Sequence, residues 1–175
     1  MKRILLACAT LALLTLPAAA SAREQAQAKP GYLVVRSAAG DGGVNGHAIV
    51  TLVVHGFVLG RVSPQDEARV EIYQLLTPGG GGAPQTTPDV STTRVKWNGR
   101  KGQAYNGSGF RFRALGGYYR VVVRGSGVYL YAGGVGHVQL HGSSFDRQGD
   151  GTYSVDGGAP RSLPTRPITR QIGRG

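Results

Sequence analysis

Residues 107–141 read GSGFRFRALGGYYRVVVRGSGVYLYAGGVGHVQLH, and this stretch decides the fold class. Between its glycines, apolar and polar residues alternate, as they do along β-strands whose two faces meet different surroundings. The segment from Gly107 to Gly117 aligns with the segment from Gly125 to Gly134, which is one residue shorter. The stretch therefore predicts an internal repeat of short strands separated by glycines.

The repeat has a period of 18 residues, from Gly107 to Gly125. This spacing fits two short strands per unit in a meander of hairpins, and it also fits the rungs of a β-solenoid. Two copies are too few for a free-standing solenoid. We therefore expect an all-β fold, a β-sandwich or small barrel of short antiparallel strands with glycine-rich turns. A short β-solenoid in the C-terminal half is the alternative.

The strand pattern extends over residues 31–158, which we expect to form a single all-β domain. Strands are indicated at 31–36 and at 47–62, where Gly56 bends or divides the run. Glycine supplies 29 of 175 residues, which is enough to disfavour helices. The segment 77–89 contains four consecutive glycines and three prolines. We expect it to be a mobile loop.

Residues 1–22 have the three parts of a secretory signal peptide. Two basic residues precede an apolar run from Ile4 to Leu16, and Ala20-Ser21-Ala22 provides the small residues of a cleavage site. A helix that spans a membrane needs about 20 apolar residues, more than this run contains. We expect a signal at 1–22, a flexible lead-in at 23–30, and delivery to the periplasm, the cell surface or the medium.

The one cysteine, Cys8, lies within this signal. Its context resembles the lipobox of bacterial lipoproteins, but too short an apolar run precedes it for lipidation to be expected. Once the signal is removed, no cysteine remains for a disulfide, a thiolate metal site or a nucleophile. The domain must then be held together by its core alone, and 31–158 is long enough for that.

The charge of the chain is strongly positive and uneven. Its formal net charge is +11, and no acidic residue lies between Asp89 and Asp146. Residues 159–175 carry four arginines and no acid, and we expect them to be a basic, disordered tail. Such asymmetry favours an anionic partner.

Alternation places a set of basic and aromatic side chains on one side of the strands. Side chains at i and i+2 share a face, so assigning Phe110 and Phe112 to the core turns their neighbours outward. The expected outer residues are Arg111, Arg113, Arg120, Arg124, Tyr129, Tyr131, His137 and His141. If the strands are neighbours, this face has cations and rings but no carboxylate, which suits an anionic polymer. An ordinary solvated sheet face is the alternative.

No motif for catalysis or metal binding emerges. His137 and His141 are four residues apart, about 13 Å along a strand, and cannot share an ion. Gly107-Ser108-Gly109 is a turn sequence that lacks the strand-to-helix context of a nucleophile elbow. We therefore assign no catalytic residue, no metal and no cofactor.

Together these features predict an exported, non-catalytic binding or envelope-associated module. The expected partner is an anionic glycopolymer or an anionic membrane surface, and export argues against intracellular nucleic acid. One alternative is a secreted hydrolase whose unrecognised site uses Asp146, Asp150 or histidines. Another is a structural subunit of a surface assembly, which an unpaired edge strand would indicate.

The cleavage site gives the first prediction. Exported protein should begin at Arg23, because signal peptidase cleaves after small residues such as those of Ala20-Ser21-Ala22. Intact-mass measurement of protein recovered outside the cytoplasm tests this. Recovery with Met1 retained, or with a lipid on Cys8, would contradict it.

Overall fold

The computed structural model describes residues 29–40, 47–75, 83–86, 90–143 and 149–174. The expected signal peptide and most of the expected loop at 77–89 lie outside these residues. Within them the fold is all-β, as the sequence predicts. The described residues contain no helix, and so none that is long and apolar enough to cross a membrane.

Eleven strands form the fold, and three of them are long. The strands are β1 (Gly31–Ser37), β2 (Ala48–Val62), β3 (Ala68–Leu75), β4 (Gln85–Thr86), β5 (Ser91–Trp97), β6 (Arg100–Gly107), β7 (Arg111–Gly125), β8 (Val128–Gly142), β9 (Gly151–Val155), β10 (Arg161–Ser162) and β11 (Ile168–Ile172). β2, β7 and β8 have 15 residues each. β2 matches the long run expected at 47–62, whereas β7 and β8 are each continuous where two short strands were expected.

All the strands belong to one antiparallel sheet that is not closed into a barrel. Its order is β10-β9-β1-β8-β2-β7-β3-β6-β5, while β11 also pairs with β8 and β4 also pairs with β7. The two repeat copies fall in β7 and β8, which lie on opposite sides of β2. They are neither consecutive hairpins nor stacked solenoid rungs, because each pairs antiparallel with β2 between them.

The sheet folds back on itself. Ala48, at one end of β2, pairs with Gly125, and Val62, at the other end, pairs with Val128. The three residue steps from Gly125 to Val128 span at most about 11 Å, so the two ends of β2 lie close together. If β2 were straight, its 15 residues would span about 46 Å. β2 must therefore bend sharply near its middle, and β7 and β8 bend with it.

The bend divides the sheet into two wings. The first wing contains 57–62 of β2, 111–115 of β7 and 128–133 of β8, with β1, β4, β9 and β10. The second wing contains 48–55, 118–125 and 135–142 of the same strands, with β3, β5, β6 and β11. Side chains from both wings make up one buried core of valines, leucines and aromatic residues.

Glycines occupy the line of the bend, which we call the glycine corner. Gly56 pairs with Gly117 on one side and with Gly134 on the other, and Gly134 also pairs with Gly31. A Cβ on Gly56 would lie 2.0 Å from the carbonyl oxygen of Gly133. The strands approach too closely here for any side chain. Gly117 and Gly134 were expected in turns between short strands. Instead they lie within β7 and β8, which bend at the corner.

A buried tyrosine braces the corner. Tyr119 is fully buried, and its hydroxyl donates a 2.7 Å hydrogen bond to the carbonyl of Leu115, on the opposite side of the bend in β7. Burial raises the pKa of this hydroxyl, although the hydrogen bond to Leu115 acts in the other direction. The tyrosine therefore fixes the two halves of β7 relative to each other.

The segment after residue 158 is part of the fold, which corrects the expectation of a disordered tail at 159–175. β10 pairs with β9, and β11 pairs with β8. Leu163 and Ile172 lie in the core. These two apolar side chains account for the order of the segment, since their burial removes them from water.

Replacing Gly134 with alanine tests the corner. The new Cβ would lie 2.1 Å from the carbonyl oxygen of His55, on a backbone with φ +139°. Collision and backbone strain together should lower the free energy of unfolding by about 3 kcal/mol or more, measured by urea denaturation. The control is Gly116→Ala, whose φ is +65° but whose Cβ would meet no atom within 4 Å. It should lose only about 1 kcal/mol, and equal losses would contradict a steric role for the corner.

Candidate functional site

The eight residues predicted for a binding face all lie on the outer side of the sheet. As alternation predicts, each is exposed or half-buried. They do not form one face, however, because the glycine corner separates them. Arg111, Arg113, Tyr129 and Tyr131 lie on the first wing, whereas Arg120, Arg124, His137 and His141 lie on the second. The expectation of a single continuous face is therefore corrected to two faces.

On the second wing, Arg120 is held by aromatic rings. Its guanidinium carbon lies 4.4 Å from the centroid of Trp97 and 5.4 Å from that of Tyr73. The two rings are themselves 6.1 Å apart. Cation–π attraction at these distances stabilises the folded arrangement. Arg120 therefore has a structural partner in the wing, and reversing its charge would remove this contact.

The second wing also carries a carboxylate, contrary to the sequence expectation. Glu71 on β3 lies opposite Val122 of β7, on the outer side. It accepts 2.8 Å hydrogen bonds from Nε of Arg69 and from the hydroxyl of Tyr73. The acid was missed because fifty residues separate Glu71 from its pairing partner Val122 along the chain. Val122 is buried despite its outward direction.

The surroundings of Glu71 favour its charged form. Burial opposes ionisation, but the hydrogen bonds from Arg69 and Tyr73 and the charges of Arg69 and Arg124 outweigh it, so the pKa of Glu71 is lowered. Burial, followed by the hydrogen bond and charge of Glu71, raises the pKa of Tyr73 to about 12. The arginines of this wing are thus partly neutralised within the sheet.

The two predicted histidines lie one strand away from the arginines. His137 pairs with Val53 and His141 pairs with Ile49, so apolar residues of β2 stand between them and β7. The Nδ1 atom of His141 lies 2.7 Å from the carbonyl oxygen of Gly142, to which it donates. The histidines therefore do not extend the basic surface.

The first wing brings together a more open cationic group. Arg36 of β1 pairs with Tyr129 of β8, Tyr129 pairs with Arg61 of β2, and Arg61 pairs with Arg111 of β7. These four residues, which we call the arginine–tyrosine row, cross four adjacent strands about 4.8 Å apart. The guanidinium carbons of Arg36 and Arg61 lie 5.5 and 5.4 Å from the ring centroid of Tyr129.

A cleft accompanies the arginine–tyrosine row. It has a volume of about 710 Å³, and all four residues of the row line it together with the turn at Ser63 and Pro64. Within the described residues, neither Arg36 nor Arg61 has a carboxylate within salt-bridge distance. The cleft is therefore a concave, cationic surface that can accept an anion.

Two members of the row, Arg36 and Arg61, were not among the predicted site residues. The signal was present, since each alternates with buried neighbours: Arg36 follows Val35, and Arg61 precedes Val62. Only the pairing of β1 and β2 with β8 brings them beside Tyr129, and that pairing joins distant parts of the chain.

One histidine–carboxylate pair bears on the hydrolase alternative. Nδ1 of His47 lies 3.1 Å from Oδ1 of Asp150, whose side chain is only 2% exposed. The pair links the start of β2 to the residue before β9. Within the described ranges no group of three His, Cys, Asp or Glu residues could hold a metal ion.

Comparison with protein-family models, with curated proteins and with solved structures finds no match for this chain.

Changing Glu71 to glutamine tests whether its ionised carboxylate, which accepts hydrogen bonds from Arg69 and Tyr73, stabilises the fold. A carboxyl whose pKa is lowered by folding stabilises the protein above its unfolded pKa of about 4.3, and this contribution is lost as pH falls through the folded pKa. At pH 7 the variant should lose about 1 kcal/mol in urea unfolding, because the pair is partly exposed. Near pH 3 it should match the native protein.

The control for this test is Glu67→Gln, since Glu67 is exposed and forms no salt bridge within the described residues. It should leave stability nearly unchanged at each pH. A deficit of Glu71→Gln that is the same at pH 3 and pH 7 would show that ionisation of Glu71 contributes nothing.

Proposed function

We propose that this protein is an exported, non-catalytic binding module that holds an anionic polymer or surface against its first wing. The observation that carries the proposal is the arginine–tyrosine row, with Arg36 and Arg61 on the ring of Tyr129 and Arg111 beside them. The expected signal peptide and the excess of positive charge are consistent with an extracytoplasmic partner in the cell envelope.

The chemistry of the row suits carboxylate, sulfate or phosphate groups. Arginine presents a planar fork of donors that can bind two oxygens of one anion. Contact with Tyr129 orients two of the guanidinium groups, which lowers the entropy lost when a ligand binds. Four residues spread over adjacent strands can engage several anionic groups of a repeating chain.

Opposed like charges also favour an anionic ligand. Arg61 and Arg111 are directly paired across β2 and β7, and like charges in such positions destabilise a sheet. An anion lying between the guanidinium groups would relieve this repulsion. Binding should therefore stabilise the fold as well as retain the ligand.

A structural subunit of a surface assembly is the second candidate. In the described part of the chain, β5 ends the sheet and pairs only with β6. Such an edge can accept a strand from another molecule. Arg94 and Lys96, however, place charge on this edge, a device that limits edge-to-edge association. The edge therefore supports this candidate less strongly than the row supports ligand binding.

Reversing the charges of the row tests the proposed function. Arg36→Glu/Arg61→Glu should bind immobilised heparin or polygalacturonate at least about tenfold more weakly at 0.1 M NaCl, because two stacked donors are lost. The native protein should release both polymers as salt rises, since exposed charges are screened.

The matched control is Arg94→Glu/Lys96→Glu, which makes the same change in net charge on the edge of the second wing. It should retain most of the binding. Equal weakening by the two double variants would show that net charge, and not the row, retains the polymer. Circular dichroism checks that both variants keep the β-sheet fold.

A further inference from the structure

Beside the arginine–tyrosine row, the first wing exposes a strip of apolar side chains. Tyr32 is 47% exposed, Leu59 is 37% exposed and Leu115 is 44% exposed. Phe57 and Tyr131 lie among them and are half-buried. We call these five residues the apolar strip. An exposed group of this kind marks an interaction site more often than scattered single residues do.

Ring contacts and one strand pairing join four members of the strip, while Leu115 lies beyond them on β7. Tyr32 stacks on Tyr131 with centroids 5.9 Å apart, and Phe57 lies 5.5 Å from Tyr131 in a tilted arrangement. Leu59 pairs with Tyr131 across β2 and β8. The strip can form because Gly133 has no side chain: a Cβ there would lie 2.5 Å from the ring of Phe57.

The strip and the row are adjacent on the same strands. Tyr131 is two residues from Tyr129, and Leu59 is two residues from Arg61, so each pair shares an outer face. On β7, Arg113 pairs with Leu59 and lies two residues from Arg111. The row therefore borders the strip on β8 and β2, and Arg113 continues the cations beside Leu59 on β7.

We propose that this face docks on a membrane that contains anionic lipids, with the apolar strip in the interfacial region and the arginines at the lipid phosphates. The inference rests on the proposed function, and it names the anionic partner as a lipid surface. Aromatic rings favour the membrane interface, and cations beside them are attracted to anionic headgroups.

The strip is what favours a lipid surface over a dissolved polyanion. A polysaccharide or nucleic acid can use the arginines and rings, but it gains little by covering the leucine side chains of Leu59 and Leu115. A groove of about 460 Å³ is lined by Leu59, Phe112, Arg111 and Arg113 among others. This groove places apolar atoms beside two guanidinium groups. Such a combination suits the boundary between lipid headgroups and acyl chains, where charged and apolar groups meet.

Among the described residues, the carboxylate of Asp156 lies at the border of this face. Asp156 follows β9 beside Tyr32, and its Oδ1 accepts a 2.9 Å hydrogen bond from the backbone N–H of Tyr32. Both of its oxygens also lie 3.3 Å from the backbone N–H of Gly173. These contacts hold the acid at the edge of the wing, away from the row.

Vesicle binding tests the inference. The full-length mature protein should co-sediment with vesicles of 30% phosphatidylglycerol in phosphatidylcholine, and should bind pure phosphatidylcholine much more weakly. Leu59→Ser/Leu115→Ser should weaken binding to the mixed vesicles by about tenfold, because two apolar side chains are no longer buried. Both leucines are exposed, so thermal unfolding of this variant should match the native protein.

Heparin binding separates failure of this inference from failure of the proposed function. The leucine double variant should bind heparin as well as the native protein does, and Val95→Ser, on the second wing, should affect neither ligand. If the native protein binds heparin but not the vesicles, the partner is a polymer and the lipid inference is wrong. If it binds neither, the proposed function also fails.

A third outcome also overturns the inference. If the leucine variant binds mixed vesicles with native affinity, attraction is purely electrostatic and the strip does not enter the interface.

Discussion

The fold depends on backbones that touch at the glycine corner. Three long strands bend together there, and the carbonyl of Gly133 occupies the space that a side chain on Gly56 would need. Only because Gly56 has no side chain can the strands approach this closely and each supply both wings, with alternate residues directed into one core. The core, the two outer faces and the separation between them all follow from this contact.

Local alternation predicted most of the side chains that lie inside, although Val122 is buried on the outer side. It placed Val121 and Val123 in the core and Arg120 outside, and the structure agrees. The sequence also indicated that Gly56 bends or divides the run at 47–62, and the structure shows one strand that bends there. Alternation could not identify the partner of each strand. It also could not show whether Gly116 and Gly117 form a turn between two strands or lie within one bent strand. Membership of the arginine–tyrosine row depends on pairings that only the folded chain defines.

The two wings use arginine differently, although their sequences look alike. Arg120 of the second wing packs on the rings of Trp97 and Tyr73. Glu71 accepts a hydrogen bond from Arg69 and lies near Arg124. Much of the charge on the second wing is therefore already paired with neighbouring side chains. On the first wing Arg36 and Arg61 stack on the single ring of Tyr129 beside a cleft, and exposed apolar groups adjoin them. Charge alone would not distinguish the wings, whereas the neighbours of each guanidinium group do.

The backbones of Lys29 and Arg174 exchange hydrogen bonds of 2.8 and 2.9 Å, which brings the two ends of the domain together. β1 lies among strands that come more than ninety residues later, and Ile172 of β11 completes the core. Almost none of this sheet can therefore form while the chain is only half synthesised. Pairing over such sequence distances makes folding slow, so the sheet can assemble only after its late strands, β8 to β11, have been synthesised.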